Sequence, residues 1–208
     1  FSNNPYLQNS NLLGVLFDNI SNQVVIKLQY HTFTDKETRE ICFHPYLLKQ
    51  YNNRWYLIGA ADDDGKILNF ALDRIDSVTA LPEMKYKPCN EDLADRFEDI
   101  IGVTLYEDRD IEHILFWVSN RSKDYVGTKP IHGSQCQYKN EKDEEFRRQY
   151  PSLNEGAFFS IDCIPNYELI RELCSFGKDL LVMEPKSIQD DVFHHTQQMY
   201  EDYLGIRT

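Results

Sequence analysis

The spacing of hydrophobic and polar residues changes several times along this chain, and each change marks an element. In residues 10–20, SNLLGVLFDNI, Leu12, Leu13, Leu16, Phe17 and Ile20 recur at helical spacing, with Ser10 or Asn11 placed to cap the first turn. The period then falls to two. In QVVIKLQY, Val24, Ile26, Leu28 and Tyr30 take one face of a strand and Val25, Lys27 and Gln29 the other. TREICFHP, LLKQY, RWYLIGA, KILNFAL and DSVTAL are further strand candidates, with turn chemistry at Asn52-Asn53 and at Asp62-Asp63-Asp64-Gly65. A helix followed by about five short antiparallel strands predicts a small open all-β barrel with a leading helix, its curl reducing exposed edges.

Beyond Pro82 the pattern mixes both periods. EDLADRFEDII carries Leu93, Phe97, Ile100 and Ile101 at helical spacing and predicts a connecting helix. IEHILFWV, AFFSIDCI and LLVMEP read as strands, and SKDYV as a short helix. A helix after Pro165-Asn166 presents Leu169, Ile170, Leu173 and Cys174 on one side and ends at Gly177. A final helix over Ser187–Leu204 has Ile188, Val192, Met199 and Tyr203 on one stripe, with Ser187 and Asp190 as a capping pair. The fold class expected is mixed: the barrel, then an α+β module with its helices on one side of a sheet. The domains expected are a tail at 1–9, the barrel at 10–88, the connecting helix at 89–108 and the α+β module at 109–208.

Charge narrows the function. The 208 residues carry a net charge of -12, divided unevenly: residues 1–82 hold seven Lys/Arg against nine Asp/Glu (-2), the remainder fifteen against twenty-five (-10). The acidic second half argues against a face that grips duplex DNA by its phosphates, so any nucleic-acid contact is expected in the first half. The five cysteines show no C-x-x-C spacing and read as reduced thiols rather than zinc ligands or a disulfide framework. No apolar run approaches the roughly 20 residues of a membrane span, and no signal segment opens the chain, so a cytoplasmic protein without membrane contact is expected. The opening FSNNPYLQNSN lacks a Met and reads as the interior of a longer protein.

Trp55-Tyr56-Leu57, preceded by His44-Pro45 and followed by Asp73-Arg74-Ile75, resembles the signature of WYL-domain proteins. Residues 131–135 (IHGSQ) and 173–185 (LCSFGKDLLVMEP) resemble the extension that commonly follows such domains, so the two likenesses cover nearly the whole chain. The resemblance implies an Sm-like, SH3-type barrel in a bacterial transcriptional regulator, a helix-turn-helix upstream as the only reader of duplex DNA, and a homodimer. It further implies ligand-facing arginines in the strand before D-R-I, where this chain has Leu68 and Ala71.

Strand alternation divides the signature. Trp55 and Leu57 share a face and are expected to pack, whereas Tyr56 points the other way, where its ring can stack and its hydroxyl can hydrogen-bond. Arg54 projects with Tyr56, and Arg39, His44, Tyr46, Lys49 and Arg74 are the other candidate ligand contacts. An aromatic and basic patch of this kind suits a nucleotide or single-stranded nucleic-acid effector. The plain alternatives are a solvated face with scattered charge, and a structural module whose aromatic surface is a protein interface. No catalytic, metal or cofactor site is expected. Glu83-Met84-Lys85 lacks a partner carboxylate, the acidic triplet lies between strands rather than helices, adjacent His194 and His195 diverge on a helix, and His132 and Ser134 occur without a nucleophile elbow.

Overall fold

The computed structural model describes residues 9, 11–32, 37–106, 108–153 and 155–207. Residues 1–8 of the expected tail lie outside these, as does Ser10. The described residues form two antiparallel sheets and six helices, divided into one compact unit up to Leu93 and another from Ala94.

In the first unit α1 (Leu12–Ser21) precedes β1 (Val25–Tyr30), β2 (Arg39–Tyr51), β3 (Arg54–Ala61), β4 (Ile67–Ala71) and β5 (Ile75–Leu81). Asn11 makes no side-chain cap, and the Leu12 amide donates to the Asn9 carbonyl instead (2.9 Å). The strand order is β4-β3-β2-β1-β5. Leu16 of α1 is buried with Ile26, Leu28, Tyr30, Phe43, Leu57, Phe70, Leu72 and Ile75, while Phe17, expected on the same stripe, is exposed.

One expectation is corrected here. TREICFHP and LLKQY are not separate strands but one 13-residue strand, β2, passing through Pro45. The pairing with β3 shifts between Pro45 and Leu47, so the proline lies at a bulge, where a missing N–H breaks no regular ladder. The sheet is open: among the described residues β4 and β5 are its two edges, each paired on one side only. β5 follows β4 after a single 3-10 turn at Leu72–Arg74 and then runs beside β1, which leaves no ladder between the edges.

The turns follow their residue chemistry. Asn52 and Asn53 both take positive φ (46° and 60°), the conformation of a two-residue hairpin turn whose twist matches its strands. Gly65 takes φ 71°, and the Asp64 carboxylate accepts from the Lys66 amide (3.1 Å), so the acidic triplet is a hairpin turn.

The second unit contains α2 (Leu93–Glu98, beginning at the boundary), β6 (Glu112–Val118), α3 (Lys123–Thr128), β7 (Cys136–Gln137), α4 (Asn140–Gln149), β8 (Ala157–Cys163), α5 (Tyr167–Ser175), β9 (Leu180–Glu184) and α6 (Lys186–Arg207). Its sheet order is β7-β8-β6-β9. Ile114, Phe116, Phe159, Ile161, Leu180 and Val182 point to one face; Leu115, Trp117, Phe158 and Met183 point to the other, where Phe146 of α4 packs against them. The expected placement of helices on a single side is therefore corrected: α4 covers the second face. This helix is nearly all polar and holds on through Phe146 and a bidentate Arg147–Asp143 pair (2.6 and 3.1 Å).

The connecting helix is also shorter than its apolar pattern. It ends at Glu98, because the Asp99 carbonyl accepts from the Ile164 amide (2.7 Å) and the chain turns to bury Ile100 and Ile101 outside any helix. By contrast α5 begins as its sequence suggests, with Asn166 accepting from the Leu169 amide (2.9 Å). Ser187 reaches Glu112 rather than Asp190, which pairs with Lys186.

Gly59 has no room for a side chain: a Cβ there would lie 2.1 Å from the His44 carbonyl oxygen and 2.7 Å from the Phe43 ring. Gly14, on the exposed side of α1, would meet nothing within 4 Å. Gly59→Ala is therefore expected to lower stability by about 1–3 kcal/mol. Gly14→Ala should raise it by about 0.5–1 kcal/mol. Denaturant melts of the two variants check this, and similar midpoints for both would contradict it.

Candidate functional site

The face of the first sheet opposite the core carries the residues of interest. On β3, Trp55 and Leu57 point into the core, while Arg54, Tyr56, Ile58 and Ala60 point away from it. Lys49 stands directly across from Tyr56 on β2, Tyr51 across from Arg54, and Ala71 across from Tyr56 on β4. A longer side chain at 71 would thus sit beside the tyrosine. Leu68 pairs with Gly59 and belongs to the other face, so of the two positions that lack arginine only Ala71 borders Tyr56.

The charges here are partly matched within the chain. Arg54 is 3.1 Å from the Asp73 carboxylate, whose second oxygen is buried without a hydrogen bond. Arg74 lies over the Tyr30 ring, 5.2 Å from its centroid. Burial pushes the Tyr30 phenol up, and the Arg74 charge pulls the other way; its hydroxyl bonds the Ala71 backbone, within electrostatic reach of Asp73 and Tyr56. Burial also lowers the pKa of Lys49, so its ammonium sits in a drier setting than a surface lysine. Lys49, Arg54, Tyr56 and Arg74 therefore gather around the end of β3 and the turn after β4. Arg39 stands across from Tyr30 on β2, at an exposed position.

His44 and Tyr46 lie elsewhere. The segment after β5 folds back over this end of β2, and its Tyr86 hydroxyl donates to the Pro45 carbonyl (2.7 Å) while Tyr46 donates to the Lys87 carbonyl (2.9 Å). The two phenol rings meet edge to face at 6.1 Å. His44 is wholly buried: Nδ1 accepts the Lys87 amide (3.1 Å), which leaves Nε2 as the donor to Asp62 (3.0 Å). With both nitrogens held by the chain and no exposed surface, His44 presents nothing to a ligand in this structure. Burial pushes the Tyr86 phenol up to about 12, with Tyr46 and Cys89 adding to the effect.

Tyr86, Lys87, Asp62 and Asp73 were not among the sequence candidates. The first three belong to a latch whose partners are about 20 to 40 residues apart, a separation no local pattern reveals. Asp73 was visible in D-R-I, but its partnership with Arg54 rather than Arg74 depends on the turn geometry.

The remaining reactive-looking groups are braces. His132 accepts the Ser134 amide at Nδ1 and donates from Nε2 to the Glu98 carbonyl (2.7 Å), while Ser134 bridges the Asp162 backbone. Among the described residues no three His, Cys, Asp or Glu side chains converge to hold a metal ion, and no helix is long and apolar enough to cross a membrane.

Comparison with known proteins agrees with this architecture. The family model for the WYL domain matches residues 11–80, the helix and five strands just described. No curated protein matches the chain. Among solved structures it is similar to Proteasome accessory factor B/C (PafBC) of Arthrobacter aurescens, at 14% identity and a TM-score of 0.40, covering 88% of this chain and 26% of that one. It is also similar to a CRISPR Cas-related protein, at 12% identity and a TM-score of 0.51, covering 91% of this chain and 50% of that one. The second is a likeness of fold, and this chain spans half that protein's length.

Two outcomes follow from the latch. His44→Leu should cost about 1–3 kcal/mol by stranding the Lys87 amide and removing one of the two donors to the Asp62 carboxylate, and a thermal melt no different from the parent would contradict the assignment. The Asp62 carboxyl is held below the usual aspartate range, first by Lys87 and then by His44. A depressed carboxyl stabilises above its unfolded pKa, and that contribution is lost as pH falls through the folded value. Lys87→Ala should therefore shrink the loss of stability on acidification below the ordinary aspartate range.

Proposed function

We propose that the first unit is the sensing element of a WYL-type transcriptional regulator, and that its ligand is a short single-stranded nucleic acid or nucleotide bound on the Lys49, Arg54 and Tyr56 face. The observation that carries this reading is the cross-strand pair Lys49–Tyr56, an ammonium and a phenol ring side by side on the sheet face opposite the core. A base stacked on the ring contributes about 1–3 kcal/mol, and a phosphate held by the flanking cations adds to it. One base and one phosphate reach only millimolar affinity; two or three nucleotides are needed for micromolar. The reading thus favours a short strand over a mononucleotide.

Asp73 tempers the site. Its carboxylate engages Arg54 and places a negative charge where a phosphate would approach, so binding requires Arg54 to share its donors. On this reading the protein is cytoplasmic and performs no catalytic step. It acts as a homodimer, with duplex DNA contacted outside the two units described. The second reading, an oligomerisation module without a small ligand, draws on the same half-buried aromatic face.

Titrating fluorescent oligothymidylate and single nucleotides into the protein tests the proposal. Tyr56→Ala should weaken oligonucleotide binding about 5- to 150-fold. Lys49→Ala should reduce the slope of log affinity against log salt by about 0.7. Asp73→Asn should tighten binding by removing the carboxylate charge that competes with a phosphate at Arg54. Absence of binding by the unaltered protein would overturn the ligand assignment.

A further inference from the structure

The last helix is longer than the body it packs on. The first turns of α6 close over the second sheet, with Ile188 buried. From Phe193 to Ile206 every side chain is exposed, and the group includes Tyr200 (63%), Tyr203 (61%) and Ile206 (79%). This stretch is strongly segregated. At about 100° per residue, Phe193, Met199, Tyr200, Tyr203, Leu204 and Ile206 fall within one arc roughly 160° wide. Gln197, Gln198, Glu201 and Asp202, with His194 and His195, fill the rest of the circle. About 14 residues of helix are marginal by themselves in water, so an amphipathic stretch of this length needs a surface on which to lie.

The same arc continues into a groove. A cavity of about 630 Å³ lies among the end of α5, edge strand β9 and α6, lined by Leu173, Leu181, Met183, Val192, Phe193 and Met199. Three candidate occupants differ in what they would leave uncovered. A small molecule filling the groove would leave Tyr200 to Ile206, about 10 Å of apolar helix, exposed. An added strand at β9 meets the Gln189 amide, which already donates to the Val182 carbonyl (3.0 Å). A helix of matching character covers both the groove and the arc, and this chain carries one.

We propose that the apolar face of α6 is the contact between two copies of this chain, with the Tyr200–Ile206 turns of each lying along the groove of the other about a two-fold axis. The same patch serves both copies, which is how a two-fold interface is built. Six large apolar side chains, each about half exposed, offer on the order of 600 Å² per copy. A standard interface needs about 800 Å² from each partner, and the groove walls supply the remainder. Glu201 and Asp202 lie outside the arc, and Asp190 on the groove wall is paired with Lys186, so two acidic chains approach without facing an unpaired carboxylate. The acidic polar side also argues against a membrane surface, which selects lysine and arginine there.

This inference rests on the homodimer proposed above and assigns its surface. Sedimentation velocity on the full 208-residue chain, from about 1 to 100 µM, tests it beside Tyr200→Glu/Tyr203→Glu. The unaltered protein should sediment as two copies, and the variant's dissociation constant should rise at least a hundredfold. Met199→Gln/Leu204→Gln serves as a second variant, with circular dichroism as the check on folding in both. A single copy throughout the range would overturn both the dimer and its surface. A dimer that persists in the folded variants would overturn the surface alone, leaving the dimer to another face.

Discussion

The architecture of the first unit turns on one close approach. At Gly59 the β3 backbone comes so near β2 that the His44 carbonyl and the Phe43 ring occupy the space a Cβ would take. With this contact made, β2 runs past Pro45 as one bent strand, its bulge absorbing the proline. The bend fixes which side chains change environment. Phe43 enters the core, His44 turns to the opposite face beneath the returning segment, and Lys49 comes into register with Tyr56. The buried latch and the half-buried pair are therefore two ends of the same surface, separated by a bulge and depending on one glycine.

That division also sorts the polar groups by task. A histidine with both nitrogens engaged and no exposure contributes by being satisfied, since an unpaired buried imidazole or amide would cost what the bonds now avoid. The groups around Tyr56 are half-buried and charged. The solvent-facing partner is the cation: Arg54 keeps 41% of its side-chain surface exposed while Asp73 keeps 19%. A phosphate can therefore approach the open side of Arg54 and share its donors without displacing Asp73. This is the physical difference between a structural polar cluster and a site.

Much of the fold was legible because it rests on local rules. Period-two runs gave the strands of the first sheet, the Asn52-Asn53 pair its hairpin, and Asn166 the start of α5. Alternation alone separated Tyr56 from Trp55 and Leu57. What escaped depends on distance or on weak patterns. Continuity of β2 through Pro45 is set by its partner strand. The polar helix α4 is held by one phenylalanine and one ion pair. For the site, residue types pointed to Tyr56, Arg54 and Lys49, whereas the fate of His44 was decided by Tyr86 and Lys87, some 40 residues later.

Charge distribution links the two units without reference to how they are arranged. The second half of the chain carries most of the net -12, and a surface of that sign repels both nucleic acid and other copies of itself. A chain of this kind associates only where apolar surface is kept clear of carboxylates, and it binds an anion only where cations are gathered against the prevailing field. α6 meets the first condition by holding Glu201 and Asp202 away from its aromatic arc. The β2–β3 hairpin meets the second with Lys49 across from Tyr56 and Arg54 paired to Asp73. Salt acts on the two in opposite senses: screening weakens phosphate contacts directly, while it relieves repulsion between acidic copies and leaves apolar burial intact. Raising ionic strength should therefore strip the ligand from the hairpin before it separates the α6 faces, so the two surfaces answer differently to one variable.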